Sequence, residues 1–199
     1  MSGKQHRPAA RLLVVPGLRD SGSAHWQTWL ERQQRGALRV RQDDWLTPDL
    51  ERWARRIGET LDAAGDVHWL VAAHSFGCLA LTRYLALRPE APIVAALLVA
   101  PADPDKFGVT ALLPRQALPV PSLVVASETD PWMSLARAQT WAGRWGSPLV
   151  NLGDAGHINA ESGFGPLPLA RRWVTAMTQR LERSHRLERA DIGEWSFAV

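Results

Sequence analysis

Three side chains, far apart along this 199-residue chain, have the types and settings that nucleophilic catalysis requires. The first is Ser75, in the run Trp69-Leu70-Val71-Ala72-Ala73-His74-Ser75-Phe76-Gly77-Cys78-Leu79-Ala80-Leu81. An apolar strand-like stretch ends at His74-Ser75, and an apolar helical pattern resumes at once. The run therefore predicts a strand turning sharply into a helix at Ser75, a nucleophile elbow with Ala73 in place of the first glycine of G-x-S-x-G. Such a turn brings the residues two before and two after the serine close to neighbouring backbone, and Ala73 and Gly77 are small enough for it. It also lifts the hydroxyl clear of the sheet and turns the free N–H groups of the helix's first turn toward the space in front of it. On its own the pattern is shared with ordinary strand-to-helix turns, so its weight depends on whether a base and an acid stand at suitable places later in the chain.

A base must reach that hydroxyl from a loop beyond the last strand. His157 fits, in Gly153-Asp154-Ala155-Gly156-His157 after the apolar run Leu149 to Asn151. His6 and His185 fall in terminal segments and His68 opens a strand. His74 adjoins the serine, where side chains diverge, and reads as a structural hydrogen-bonding group. For the acid that orients the imidazole, three positions compete: Asp103 after the fourth strand, Asp130 after the fifth and Asp154 beside the histidine. Asp130, followed by Pro131 and Trp132, stands at a strand's carboxyl end and gives the chain order Ser, Asp, His. Asp103 is the runner-up, and its alternative reading is a turn residue in Pro101-Ala102-Asp103-Pro104.

Acyl transfer also needs donors for a developing oxyanion. The Phe76 N–H is one candidate, and the Leu18 N–H is the other, in the loop Pro16-Gly17-Leu18 where glycine permits close backbone approach. Trp132 and Ile158, with Leu18 and Phe76, offer an apolar lining at the triad. No metal-ligand spacing, no phosphate-cradling loop and no dinucleotide fingerprint occurs, so neither a metal nor a cofactor is implied.

These residues must be held by alternating elements. Short apolar runs at Leu12–Val15, Leu38–Val40, Val67–Ala72, Ile93–Val99, Leu123–Ala126 and Leu149–Asn151 predict six strands. Five helical stretches fall between them and a sixth comes after the last, the signature of a mostly parallel sheet with helices on both faces. The clearest helix is predicted to start at Thr47 as N-cap with Pro48 in its first turn. It carries Leu50, Trp53, Ala54, Ile57 and Leu61 along one face and stops at Gly65. Another opens near Pro168 with Leu169, Trp173, Val174, Met177 and Leu181 on its buried side. The periodicity fades after Leu181, so residues 185–199 read as a C-terminal tail that Trp195 or Phe197 can dock on the body. Residues 1–10 read as a flexible N-terminus, leaving 11–184 as one domain. The connection from Pro101 to Pro121 holds at most a short helix and has no room for a large lid.

With 46% hydrophobic residues the chain can bury one sizeable core. Its net charge of +3 comes from scattered arginines rather than a basic run, which argues against a nucleic-acid partner. The single cysteine, Cys78, forms no internal disulfide, and no apolar stretch is long enough for a signal peptide or membrane span, so a cytoplasmic location is expected. Of the ten tryptophans, those at helical spacing (Trp26 with Trp29, Trp141 with Trp145) are expected in packing, and one or two in a pocket.

Several blocks carry a family resemblance: Pro16-Gly17 followed by Ser23-Ala24-His25-Trp26-Gln27, then Ala73 to Cys78, then Thr129-Asp130-Pro131, and finally Gly156 to Pro166 with Ser162-Gly163-Phe164-Gly165-Pro166. Over about residues 11 to 180 the chain resembles the small serine hydrolases of the YdeN-like and retinoblastoma-binding-protein-nine-like type. The resemblance implies a minimal α/β-hydrolase fold with Ser75, Asp130 and His157 at the triad positions, and it supplies no natural substrate. The Leu-x-Cys-x-Glu motif that binds retinoblastoma-type proteins is absent, so no such partner is expected. The function read from the sequence is hydrolysis of small carboxylic esters, thioesters or activated amides through an acyl-enzyme on Ser75. The competing reading is an idle hydrolase fold used as a binding module.

Overall fold

The structure, a computed structural model, describes residues 10–195. Six parallel strands form one sheet in the order β2-β1-β3-β4-β5-β6. They are β1 (Arg11–Val15), β2 (Leu38–Arg39), β3 (Trp69–His74), β4 (Ile93–Val99), β5 (Ser122–Ala126) and β6 (Leu149–Asn151). All six sequence runs become strands, with β3 shifted two residues along. Val67 still packs in the core, but pairing with β1 begins at Trp69 opposite Arg11.

The strands read as continuous apolar runs because both faces of the sheet are covered. On one face lie α2 (Leu50–Ala64), α3 (Phe76–Leu87) and α4 (Leu135–Arg144), packed on Leu13, Val15, Val71, Ala73, Leu98 and Val124. On the other lie α1 (Trp26–Arg32) and α5 (Pro168–Trp195), packed on Leu12, Val14, Leu70, Leu97 and Val125. Successive residues of a strand point to opposite faces, so each strand feeds both cores.

The number of helices differs from the sequence expectation. Between β4 and β5 the described chain makes only two short 3-10 turns, Pro104–Phe107 and Thr110–Leu112, and no lid covers the sheet there. Helix α2 also starts later than expected. Asp49 caps it, accepting the Arg52 N–H at 3.0 Å, because aspartate caps at least as well as threonine. The Thr47 carbonyl is left to accept the Trp53 indole N–H at 3.2 Å. Helix α5 runs on to Trp195, past the point where a tail was expected. Its later turns are rich in Glu and Arg, good helix formers with a Glu182–Arg186 pair one turn apart, so the helix continues after the apolar periodicity fades. Ala10, assigned from sequence to the N-terminal segment, is buried, while residues 1–9 and Phe197 lie outside the described residues.

Candidate active site

A parallel sheet presents its strand carboxyl ends, and the loops that leave them, along one edge. The Pro16–Gly22 loop after β1, the elbow after β3, the 127–134 loop after β5 and the 152–162 loop after β6 meet there. Ser75 has φ 54° and ψ −126°, left-handed backbone that a side chain adopts only when its surroundings force it. The cause is visible at Gly77. A Cβ on that residue would stand 2.3 Å from the Pro16 carbonyl oxygen and 2.6 Å from that of Val15, so β1 backbone lies directly against the start of α3. Gly17 is confined too, though less tightly, since a Cβ there would lie 2.8 Å from Ser75 Cβ and 3.4 Å from Oγ. The loop that carries the Leu18 amide therefore passes against the serine. Neither the Leu18 nor the Phe76 N–H has a protein acceptor among the described residues.

The three residues singled out by sequence converge. His157 Nε2 lies 2.8 Å from Ser75 Oγ, and its Nδ1 lies 2.9 Å from both oxygens of Asp130. A carboxylate only accepts, so Nδ1 carries the proton and Nε2 presents its lone pair to the serine hydroxyl. His157 is 5% exposed. Asp130 is held in turn by the Trp132 N–H, which donates to Oδ1 at 2.8 Å. The runner-up acid is engaged elsewhere: Asp103 caps the Pro104–Phe107 turn and pairs with Arg137 through contacts of 2.8 and 3.2 Å. Burial pushes the Asp103 carboxyl up, but the Arg137 guanidinium and the Asp105 N–H more than offset this and leave it below the usual range. Asp154 accepts from the Thr129 hydroxyl instead.

The blocks between the triad residues hold them in place, and here the structure adds what sequence reasoning missed. Ser162, in the Ser-Gly-Phe-Gly-Pro block, accepts the His157 backbone N–H on its hydroxyl at 3.0 Å. Ser127 ties the β5 loop to the β6 loop, donating to the Gly153 carbonyl and accepting from the Ala155 N–H. Gln27 is wholly buried and joins the ends of β1 and β3, donating to the Val15 and Ala72 carbonyls. Arg39, only 6% exposed at its side chain, pins the Pro16–Gly22 loop to α1 through Asp20 at 2.8 Å and Glu31 at 2.6 Å. The signals for Gln27 and Ser162 were their places in the blocks that carry the family resemblance, but spacing alone assigns no role.

His74 is buried against His157. Its Nε2 contacts the His157 carbonyl oxygen at 3.0 Å, and burial, with His25 and His157 nearby, holds it neutral. His25, which sequence reasoning left unassigned, is also buried beside the triad. Desolvation, followed by Arg39 and His157 and opposed by Asp20, lowers its pKa to about 4. The Cys78 thiol is buried in the core and burial pushes its pKa up, so it is no competing nucleophile.

A cleft of about 450 Å³ opens over Ser75, His157 and His74. Its lining includes the apolar Leu18, Leu46, Phe107 and Trp132 and the polar Arg19, Asn159 and Glu161. Trp132 lines the cleft, stacked on Phe107 and held by Lys106, whose ammonium lies 5.5 Å from the ring centroid and donates to the Pro131 carbonyl. Ile158 does not line it. Its φ of 49° turns the chain after His157, and the side chain is fully buried in the core beneath α1 and α5. The Phe76 ring is likewise buried, against Trp53 and Phe107, which leaves only its amide at the site. Five tryptophans (Trp26, Trp53, Trp69, Trp141 and Trp145) are core residues.

A family model described as serine hydrolase matches residues 12–176. The chain belongs to the serine hydrolase family. It is similar to the solved structure of a YdeN-like hydrolase from Pectobacterium atrosepticum, with 40% identity, coverage of 86% of this chain and 92% of that one, and a TM-score of 0.81. The ydeN gene product of Bacillus subtilis is similar at 21% identity over 84% of this chain and 97% of that one, TM-score 0.68. The esterase domain of a Rhodothermus marinus protein is similar at 16% identity over 80% and 83%, TM-score 0.60. The last two likenesses show the α/β-hydrolase fold alone. No curated protein sequence matches. Among the described residues, no group of side chains suits a metal ion and no helix is long and apolar enough to cross a membrane.

Proposed function

We propose that this serine hydrolase cleaves small carboxylic esters, thioesters or activated amides through an acyl-enzyme on Ser75. The observation that carries this reading is the single imidazole of His157 bridging Ser75 Oγ at 2.8 Å and Asp130 at 2.9 Å. Ser75 attacks the acyl carbonyl as its proton passes to His157 Nε2, and the Leu18 and Phe76 amides receive the oxyanion. The imidazolium, held by Asp130, then donates that proton to the leaving oxygen, sulfur or nitrogen as its bond to the acyl carbon breaks. Water, deprotonated by His157, attacks the acyl-enzyme in the same way and releases the acid. The open cleft, with Trp132 at its rim, suits short acyl groups. The esterase domain among the structural neighbours is consistent with this class of substrate.

The catalytic domain proposed is residues 11–184, from which the later turns of α5 continue, and the location proposed is cytoplasmic. Its partner is the small substrate, with no nucleic acid, membrane or retinoblastoma-type protein bound. In support, several surface arginines face local acids, as in Arg56 with Asp43 and Glu59, Arg83 with Glu51 and Arg88 with Glu90, and the basic residues form no run of the kind a nucleic-acid footprint requires. The test is an acid-quenched reaction with p-nitrophenyl acetate, analysed by peptide mass. The reading expects an acetyl adduct on the Ser75 peptide and a burst of p-nitrophenolate. Turnover with the adduct on any other residue would overturn it.

A further inference from the structure

His25 borders the catalytic cleft and has no part in the triad. It is 5% exposed, lines the cleft together with Ser75 and His157, and packs edge-on against His74 with ring centroids 4.7 Å apart. Its two nitrogens are not equivalent. Nδ1 accepts the Gln27 N–H at 3.1 Å and so caps α1. A ring nitrogen that accepts presents a lone pair, which puts the proton of the neutral imidazole on Nε2. With a pKa of about 4 the ring stays neutral in ordinary buffers. His25 therefore keeps one N–H, on Nε2, and that group has no acceptor among the described residues. The ring is buried at the cleft wall but this N–H is not sealed off in the protein, because the buried side-chain donors without a partner among the described residues are the indole N–H groups of Trp26, Trp69, Trp141 and Trp145; a donor left open to a catalytic cleft has a ligand as its natural partner.

We propose that His25 determines specificity by donating its Nε2–H to a second oxygen of the substrate, close to the scissile carbonyl. The substrates favoured are esters with an ether, hydroxyl or carbonyl oxygen on the acyl or alkoxy side, over plain aliphatic esters of the same shape. This rests on the hydrolase reading of Ser75. The cleft suits such a molecule, since its lining combines the polar Arg19 and Asn159 with the apolar Leu46 and Phe107. Because the ring does not gain a proton above about pH 5, the donor is constant over the range in which a serine hydrolase works.

The test compares near-isosteric pairs: p-nitrophenyl methoxyacetate with p-nitrophenyl butanoate, and 2-methoxyethyl acetate with n-butyl acetate. Each kcat/KM is divided by the rate of alkaline hydrolysis of the same ester, which removes intrinsic reactivity. The wild-type protein is expected to favour the oxygenated member of at least one pair by about tenfold, the worth of one hydrogen bond. His25→Asn retains an oxygen that accepts the Gln27 N–H and so keeps the cap, but its side chain ends short of the Nε2 position. Its melting temperature should stay close to wild type while the preference falls to about one. His25→Gln, whose amide NH2 reaches further, should melt lower yet retain part of the preference. No preference in either wild-type pair, or a preference that survives in His25→Asn, would overturn the assignment. Failure of the hydrolase reading looks different, because then no ester turns over and Ser75 takes up no acyl group, and both readings fall.

Discussion

Replacing Gln27 by leucine tests whether one buried amide ties the two halves of the site together. Its Nε2 donates to the Val15 carbonyl at 3.1 Å and the Ala72 carbonyl at 2.9 Å, while Oε1 accepts the Ser21 hydroxyl at 2.5 Å. The strand ending at Val15 leads to the Leu18 amide, and the one containing Ala72 leads to Ser75. Leucine has nearly the same volume, so the cavity term is small and the loss is polar. One buried hydroxyl is left without its acceptor and two carbonyls lose a donor. At about 1–3 kcal/mol for each buried group left unpaired, and less for a carbonyl with another partner, the expected cost is about 3–5 kcal/mol. For a chain of this size that lowers Tm by about 10 °C. A shift of a few tenths of an ångström between the oxyanion loop and the elbow should also reduce kcat by about tenfold or more in protein that is still folded. Thermal unfolding followed by circular dichroism, with esterase rates at 25 °C, measures both. A Tm within about 2 °C of wild type would refute the assigned role of the amide.

Asp130→Asn should lower kcat by about 10⁴ through the wrong histidine tautomer with the fold retained, whereas Asp103→Asn, which only weakens the Arg137 pair, should change kcat little; the opposite ranking in steady-state kinetics would move the acid to the β4 loop. Stability should fall with acid between pH 7.5 and 5. His25 has a lowered folded-state pKa, so between about 6.5 and about 4 the unfolded chain binds more protons, and the stabilisation present above that window is lost as pH falls through it. At pH 5 this is about 2 kcal/mol from His25 alone, and His74, also lowered, acts in the same direction. Urea midpoints that are equal or higher at pH 5 would contradict it. For p-nitrophenyl esters, kcat/KM should peak between acetate and about hexanoate, because a longer chain leaves its methylenes in water and gains nothing of the about 0.8 kcal/mol each would gain by burial; a steady rise through palmitate would show a deeper acyl site.

The fold was legible because a doubly covered parallel sheet writes itself as apolar runs alternating with 3.6-residue periodicity, and every such run became a strand. The elbow was legible for a related reason: small residues at 73 and 77 around a serine are a steric signature, and the contact a Cβ on Gly77 would make with Pro16 shows its origin. Boundaries were less legible. Thr47 and Asp49 are both good caps, and only the three-dimensional path decides which one the helix uses. Ile158 illustrates the commoner failure, since apolar character beside a catalytic histidine does not say which way the chain turns, and here it turns into the core. The roles of His25, Gln27 and Ser162 depend on partners in other elements, which spacing along one chain does not encode.

The central claim is that Ser75 is a nucleophile activated by His157. A fluorophosphonate probe tests it directly, because phosphonylation forms an Oγ–P bond with loss of fluoride only at a hydroxyl that a base can deprotonate. Intact mass and peptide mapping should find one adduct on wild-type protein, located at Ser75, none on Ser75→Ala, and labelling slowed by orders of magnitude on His157→Ala. An adduct that persists on folded Ser75→Ala at the wild-type rate would contradict the account.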